Sequence, residues 1–313
     1  MSTAFLRDHK VPLLLMCIAS ILLALHFFRP PAGGLWTQVF FNSLHVPVFG
    51  LIAVFIFLIG GSSLTWGRRA VIALITTAAL GVLSEAAQIF TLRDASWRDL
   101  VADCFGAASF LAIFLAVCPG HKFSGMQRTM LLSVAAILLG WVLAPLAITS
   151  AAYVERFSQF PTIVRFDNRF GRVLTRAQNI EYQIVSSTQG EPAHALITLR
   201  NKPWPGVAFH NVWPDWSGFN TLIVELGVNG NSPLPISIRA HDEAHKSSQQ
   251  FTDRFNRSYT LNPGKQSLII PLTDLVNAPH GRLMDLTQMS ELIIYSDGSN
   301  AGRSFKIFEI RLE

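Results

Sequence analysis

A run of polar side chains interrupts the apolar first half of this chain: Glu85, Gln88, Arg93, Ser96, Asp99 and Asp103. Carboxylates, an amide, a guanidinium and a hydroxyl at this density can move protons, hold an anion, or simply cap and pair two helices. The flanks set the cost. Residues 69–84 and 100–117 are almost wholly apolar and read as membrane spans. A charge at the centre of a bilayer costs about 2.5–3.5 kcal/mol on insertion scales, and less toward the interface.

Spacing decides which of these groups meet. Glu85 and Gln88 are three apart and share a helix face; Asp99 and Asp103 are four apart on the next helix. An antiparallel hairpin gathers Glu85, Gln88, Arg93, Asp99 and Asp103 at one end, where His45, at the start of an earlier span, can join them. Ser96-Trp97-Arg98-Asp99 also fits the S-x-x-[DE] pattern that begins a helix. Capping accounts for Ser96 and Asp99 but not for Glu85, Gln88 or Asp103, which lie a turn or more inside their helices. Three readings stay open. Arg93 can pair a phosphate or carboxylate in a binding site. Glu85 can serve as general base in a membrane enzyme. Or the hairpin is stable structure within an envelope scaffold. No HExxH, P-loop or GxSxG motif is present, and no metal site or cofactor is assigned.

The elements that carry these groups follow from composition. The chain has 313 residues, 50% hydrophobic and only 14% charged, with a mean hydropathy of +0.36. Five apolar segments are near the length that crosses a bilayer: Val11–Phe28, Leu44–Ile59, Arg69–Ile89, Leu100–Val117 and Thr129–Thr149. The lipid bilayer is therefore the first partner expected. Residues 1–154 hold nine Lys/Arg against five Asp/Glu, mostly in loops, which argues for membrane orientation rather than nucleic-acid binding. With the N-terminus cytoplasmic, Arg7, Lys10, Arg68, Arg69, Lys122 and Arg128 lie inside and Arg29, Arg93 and Arg98 outside. That polarity puts the polar run and everything after residue 150 outside a bacterial cytoplasmic or inner membrane. The three cysteines, Cys17, Cys104 and Cys118, imply no disulfide framework.

From residue 155 the texture changes to short alternating runs, Ala195–Leu199, Thr221–Leu226, Ile236–Ala240, Ser267–Leu272, Glu291–Tyr295 and Phe305–Leu312, punctuated by Asn229-Gly230, Asn262-Pro263-Gly264 and Asp297-Gly298. This predicts an all-β jelly-roll sandwich over 155–313, behind an α-helical membrane domain of about five transmembrane helices over 1–150. In the last strand Phe308, Ile310 and Leu312 are expected inward. His241-Asp242-Glu243 and His245 read as a solvated turn.

Two resemblances sharpen the reading. Glu85-x-x-Gln88, Arg93-x-x-Ser96-x-x-Asp99, Asp103 and Gly106 resemble the E-x-x-Q … R-x-x-S-x-x-D-x-x-x-N-x-x-G pattern of the VanZ-like family over about residues 40–118, with Asp103 in place of the usual Asn and Phe41-Asn42 in place of an Asp-Lys pair before His45. That resemblance implies a cell-envelope protein, in a family named for a member linked to teicoplanin resistance, and a ligand held by His45, Glu85, Gln88, Arg93, Ser96, Asp99 and Asp103. Residues 160–313 resemble the galactose-binding-like jelly rolls that include carbohydrate-binding modules, through Trp204-x-Gly206-x-Ala208-Phe209, Asp215-Trp216-Ser217-Gly218-Phe219, Phe251-Thr252-Asp253-Arg254-Phe255 and Phe308–Leu312. This implies an envelope glycan or lipid-linked glycan as partner, with Trp204, Trp213 and Trp216 stacking on sugar and Asp215 and Arg254 binding hydroxyls. Trp213 is the tryptophan expected to be most exposed. Structural Ca²⁺ is compatible with such folds, although no spacing here fixes a site.

Overall fold

The computed structural model describes residues 10–27, 34–60, 63–88, 96–118, 123–167 and 170–313. The chain divides into two compact units, Met1–Ala147 and Ile148–Glu313.

The first unit is helical: α1 (Lys10–Phe27), α2 (Leu35–Ser43), α3 (His45–Ile59), α4 (Trp66–Gln88), α5 (Trp97–Val117) and α6 (Gly125–Ser158), the last continuing into the second unit. Among the described residues four runs are long and apolar enough to cross a membrane: Leu35–Ile59, Trp66–Ala87, Trp97–Val117 and Gly125–Ser158. The break between α2 and α3 follows from Pro47, which has no N–H to give Ser43 and whose ring disfavours a continuous helix there. At the start of α5 the expected cap is present: the Ser96 hydroxyl accepts from the Arg98 N–H at 3.2 Å.

Helices α3 and α5 cross at glycine. A methyl group on Gly106 would come within 2.3 Å of the Val46 carbonyl oxygen, and one on Gly50 within 2.4 Å of the Phe110 ring. Small residues at a crossing let backbones approach, which is how apolar helices pack without a hydrophobic drive between them. Beyond the crossing, Phe57 packs against Trp66 and Phe114, and Arg69 caps α3 by donating to the Phe57 carbonyl at 2.6 and 3.1 Å.

The second unit is an antiparallel β sandwich. One sheet runs β3-β4-β11-β6-β9, with β1 also on β11; the other runs β2-β5-β10-β7-β8. The strands are β1 (Thr162–Arg165), β2 (Thr175–Gln178), β3 (Ile180–Val185), β4 (His194–Leu199), β5 (Gly206–His210), β6 (Thr221–Val228), β7 (Leu234–Asp242), β8 (Phe255–Leu261), β9 (Gly264–Pro271), β10 (Met289–Tyr295) and β11 (Ser304–Leu312). From β4 onward the chain mostly alternates between sheets. The facing sides form one core that includes Phe166, Phe209, Trp216, Leu222, Leu226, Leu234 and Phe305. No cysteine lies in this unit, so its stability rests on that burial, worth about 1.5–3 kcal/mol per large apolar side chain.

The alternation expected in the last strand is corrected by a bulge. Between Ile307 and Glu309 the pairing with β6 slips by one residue. Phe305 and Ile307 before the slip, and Ile310 and Leu312 after it, all reach the core, whereas Phe308 leaves it and packs against His194 and under Lys265. A period of two breaks wherever one strand carries an extra residue.

Gly106→Ala should force α3 and α5 apart and lower the melting temperature of the detergent-solubilised protein, by an amount in the overpacking range of about 1–3 kcal/mol. Gly140→Ala, where an added methyl meets nothing within 4 Å, should leave the melting temperature unchanged or raise it.

Candidate functional site

Two constellations emerge, one in each unit. In the helical unit, α3 and α5 start at the end where α4 stops, so His45, Glu85 and Asp103 converge. His45 Nδ1 lies 2.9 Å from Asp103 Oδ1, and its ring is held parallel to that of Phe49, with centroids 6.1 Å apart. Glu85 Oε2 accepts the backbone N–H of Ser96 at 2.8 Å. This carboxylate, reaching from the neighbouring helix, satisfies the donor that a capping-box Glu three residues on would otherwise take. All three side chains are buried. Of the other residues expected here, Ser96 is the cap, Asp99 stands in the first turn of α5, and Arg93 and the Gln88 side chain lie outside the described residues.

In the β unit the chemistry stands on the outer face of the five-stranded sheet. Its inner face belongs to the core, so every second residue must point out, and the register lines these up in rows. Arg176, Ala208, Ile293, Arg239 and Asn256 form one row across all five strands. Gln178, Gly206, Tyr295, Ser237 and Ser258 form the next. His210, Glu291 and His241 form a third. Over these rows lies a cleft of about 490 Å³, lined by Arg176, Gln178, Trp204, Gly206, Ala208, His210, Arg239, Phe251, Arg254, Glu291, Ile293 and Tyr295 among others. Its floor is low where Gly206 and Ala208 sit. A side chain at Gly206 would lie 2.5 Å from both the Ile294 carbonyl oxygen and Tyr295 Cβ.

Aromatic surface is available. Trp204 and Phe251 are 62% and 64% exposed. Trp204 is held edge-on to Tyr295 at 5.8 Å, and Arg254 lies 4.8 Å over the Phe251 ring. Tyr295 donates its hydroxyl to Asn256 at 2.8 Å. The charge is mostly positive: Arg176, Arg239 and Arg254 face one carboxylate, Glu291. The Nε–H groups of Arg239 and Arg254 are buried without an acceptor among the described residues. Burial pushes the Glu291 carboxyl up, but the His210 hydrogen bond at 2.5 Å, with the Arg239 charge, outweighs it and holds Glu291 below the usual carboxylate range. Burial drives the His241 imidazole down to about 4, helped by Arg239 and His245, so it stays neutral.

Several expected residues sit elsewhere. Trp216 is fully buried in the core, donating its indole N–H to the Trp213 carbonyl at 2.6 Å, and has no face to offer a sugar. Trp213 is half-buried between Phe157 and Phe160, both with centroids 5.0 Å away. Asp215 is exposed but spends one carboxylate oxygen on the N–H and hydroxyl of Ser217, in a turn away from the cleft. Trp204 and Arg254 are in the cleft. The His241–His245 stretch is not a solvated turn: His241, Asp242 and His245 are buried. Asp242 takes a two-pronged ion pair from Arg282, at 2.5 and 2.9 Å, and the backbone N–H groups of His245 and Asp285. That network pins the loop leading to Phe251 and Arg254. Among the described residues of the β unit no group of metal-ligating side chains gathers as a cation site would require.

No family model matches the chain, and no curated protein matches it. Solved structures similar to it include an exo-β-agarase, at 16% identity and TM-score 0.39 over 49% of this chain and 24% of the agarase, so the chain spans about a quarter of that enzyme. A family 11 carbohydrate-binding module from Clostridium thermocellum, solved with a β-1,3-1,4-mixed-linked tetrasaccharide, is 13% identical with TM-score 0.38, over 48% of this chain and 93% of the module. A family 30 carbohydrate-binding module of a Clostridium thermocellum cellulosomal cellulase is 14% identical with TM-score 0.36, over 49% and 95%. Likeness at this level adds nothing to the reading of the cleft, which rests on its own residues.

The neutral, buried His241 carries a pH signature. Between about pH 6.5, the unperturbed histidine value, and its native value of about 4, the unfolded chain binds a proton that the native one refuses. Stability of the β unit should therefore fall as pH drops through that window, by at most about 1.4 kcal/mol per pH unit from this group. Melting curves of wild type and His241→Gln from pH 7.5 to 4.5 should show a shallower slope in the variant.

Proposed function

We propose that this chain is an integral membrane protein of the bacterial cell envelope that presents a glycan-binding β unit on the extracytoplasmic side, and that the cleft on its five-stranded sheet takes an oligosaccharide carrying acidic groups. The observation that carries this reading is the cleft itself. Two exposed aromatic faces, Trp204 and Phe251, line the same groove as Arg176, Arg239 and Arg254, over a floor kept low by Gly206 and Ala208. Sugar rings stack their C–H faces on aromatic rings, and Tyr295 adds a third ring. Guanidinium groups match a uronate, sulfate or phosphate substituent better than a neutral hydroxyl. The single carboxylate, Glu291, is committed to His210.

Further features accord with the reading. The strand order, with β4-β11-β6-β9 facing β5-β10-β7-β8, is the connectivity of a jelly roll. The apolar helices supply the anchor, and the excess of Lys and Arg on one set of loops favours a cytoplasmic N-terminus. The VanZ-like spacing of residues 85–106 and the envelope role it implies belong to the same proposal. Glu85 as a general base is not favoured, since one of its oxygens is already engaged by the Ser96 N–H.

Binding of acidic and neutral oligosaccharides to the full chain in detergent tests this. Acidic glycans should bind and neutral ones should bind more weakly. Trp204→Ala and Arg254→Gln should each lower affinity about tenfold, or ~1.4 kcal/mol, with the melting temperature preserved. Trp213→Ala should lower the melting temperature and leave the affinity of the folded fraction intact. Equal binding of neutral and acidic glycans contradicts the acidic preference, and unchanged affinity in Trp204→Ala contradicts the cleft.

A further inference from the structure

The glycan cleft leaves the buried helical cluster without a role. One nitrogen of His45 and one oxygen each of Glu85 and Asp103 lie within 4.8 Å of one another, and this is the one such gathering of His, Cys, Asp and Glu side chains among the described residues. Their exposures are 4%, 8% and 0%. We propose that His45, Glu85 and Asp103 bind a divalent transition-metal cation of zinc type.

Four observations converge on a cation. Two carboxylates share a buried site inside helices apolar enough to cross a membrane. Burying a charge is tolerated when it is paired or coordinates a metal, and a divalent ion would meet that need at Asp103. Asp103, with no exposed surface, uses Oδ1 on His45 and leaves Oδ2 without a hydrogen-bond partner. That orphan oxygen faces α4 at Gly81, one turn before Glu85, where an added methyl would stand 3.0 Å from it. A further turn along the same face, the buried Thr77 hydroxyl is likewise without a partner among the described residues. The supports that metal sites use are also in place. Phe49 fixes the plane of the His45 ring, and the Ser96 N–H orients Glu85.

The donor set chooses the metal. One imidazole with two carboxylates suits Zn²⁺, Mn²⁺, Co²⁺ or Fe²⁺. It lacks the thiolate that selects softer ions and the six or more oxygens that Ca²⁺ takes. Bonds of about 2.0–2.2 Å require the three donors to draw in around the ion by side-chain rotation. Three protein ligands also leave a coordination position open, so an oxygen ligand such as phosphate, carboxylate or water can complete the shell.

Untagged full-length protein in detergent, stripped with chelator and dialysed against Zn²⁺, should retain about one equivalent per chain by elemental mass spectrometry. Folded Asp103→Asn and His45→Gln should bind at least ~10-fold more weakly. A second readout needs no variant. Wild type loaded with Co²⁺ should show visible d–d bands of a low-coordinate site, and Zn²⁺ should abolish them. Absence of those bands and of retained metal in folded wild type overturns the proposal. So does binding to the folded Asp103→Asn and His45→Gln proteins that equals wild type. A variant that fails to fold leaves the decision to the Co²⁺ spectrum.

Discussion

A polar group leaves water at tolerable cost only where the fold delivers a partner to it, and each unit of this chain meets that condition with a different device. In the helical unit the device is close approach. With a side chain at Gly106 or Gly50, α3 and α5 could not cross tightly enough to set His45 beside Asp103. Without a bare Gly81, the Asp103 carboxylate could not lie against α4. In the β unit the device is register. One face of the five-stranded sheet is committed to the core, so His210, Glu291 and His241 are obliged to share a row on the other face, as are Arg176 and Arg239 in the row beside it.

The same condition separates the structural charges from the available ones. Asp242 is satisfied four times over by Arg282 and two backbone N–H groups, and it fixes a loop. Glu291 is held by His210, which keeps its charge and spends it. Arg239 and Arg254, by contrast, keep donors that nothing among the described residues accepts, and both line the cleft. A buried donor left unpaired costs the free protein stability. Asp103 Oδ2 is the same situation with the sign reversed.

Much of this was legible in the sequence where a local pattern encodes it. The apolar runs and the alternating runs lie where helices and strands occur, and Ser96 caps α5 as its spacing indicates. Long-range pairing is not encoded locally. β2, β5 and β8 are short or carry polar residues on their outward face, so they look like loops, and with them went Arg176 and His210. The Trp213–Trp216 segment, which contains Pro214 and Asp215, reads as an exposed loop, yet it gives Trp216 to the core. His241 and His245 sit at a strand end and in a turn, positions ordinarily solvated; the Asp242–Arg282 pair, forty residues apart, buries them. The hairpin spacing indicates that Glu85 and Asp103 meet, with His45 able to join them from an earlier span. The orphaned Asp103 oxygen was not, because hydrogen-bond satisfaction is a property of coordinates alone.

The central claim, that the arginine-lined aromatic cleft is the glycan-binding face, is tested most directly by hydroxyl-radical footprinting of the full chain with and without a saturating acidic oligosaccharide. Protection of Trp204, Phe251 and Tyr295 is expected, with labelling of exposed Ile269 and Leu283, which lie outside the cleft, unchanged. Protection centred on other residues while those three label as freely as before would contradict it.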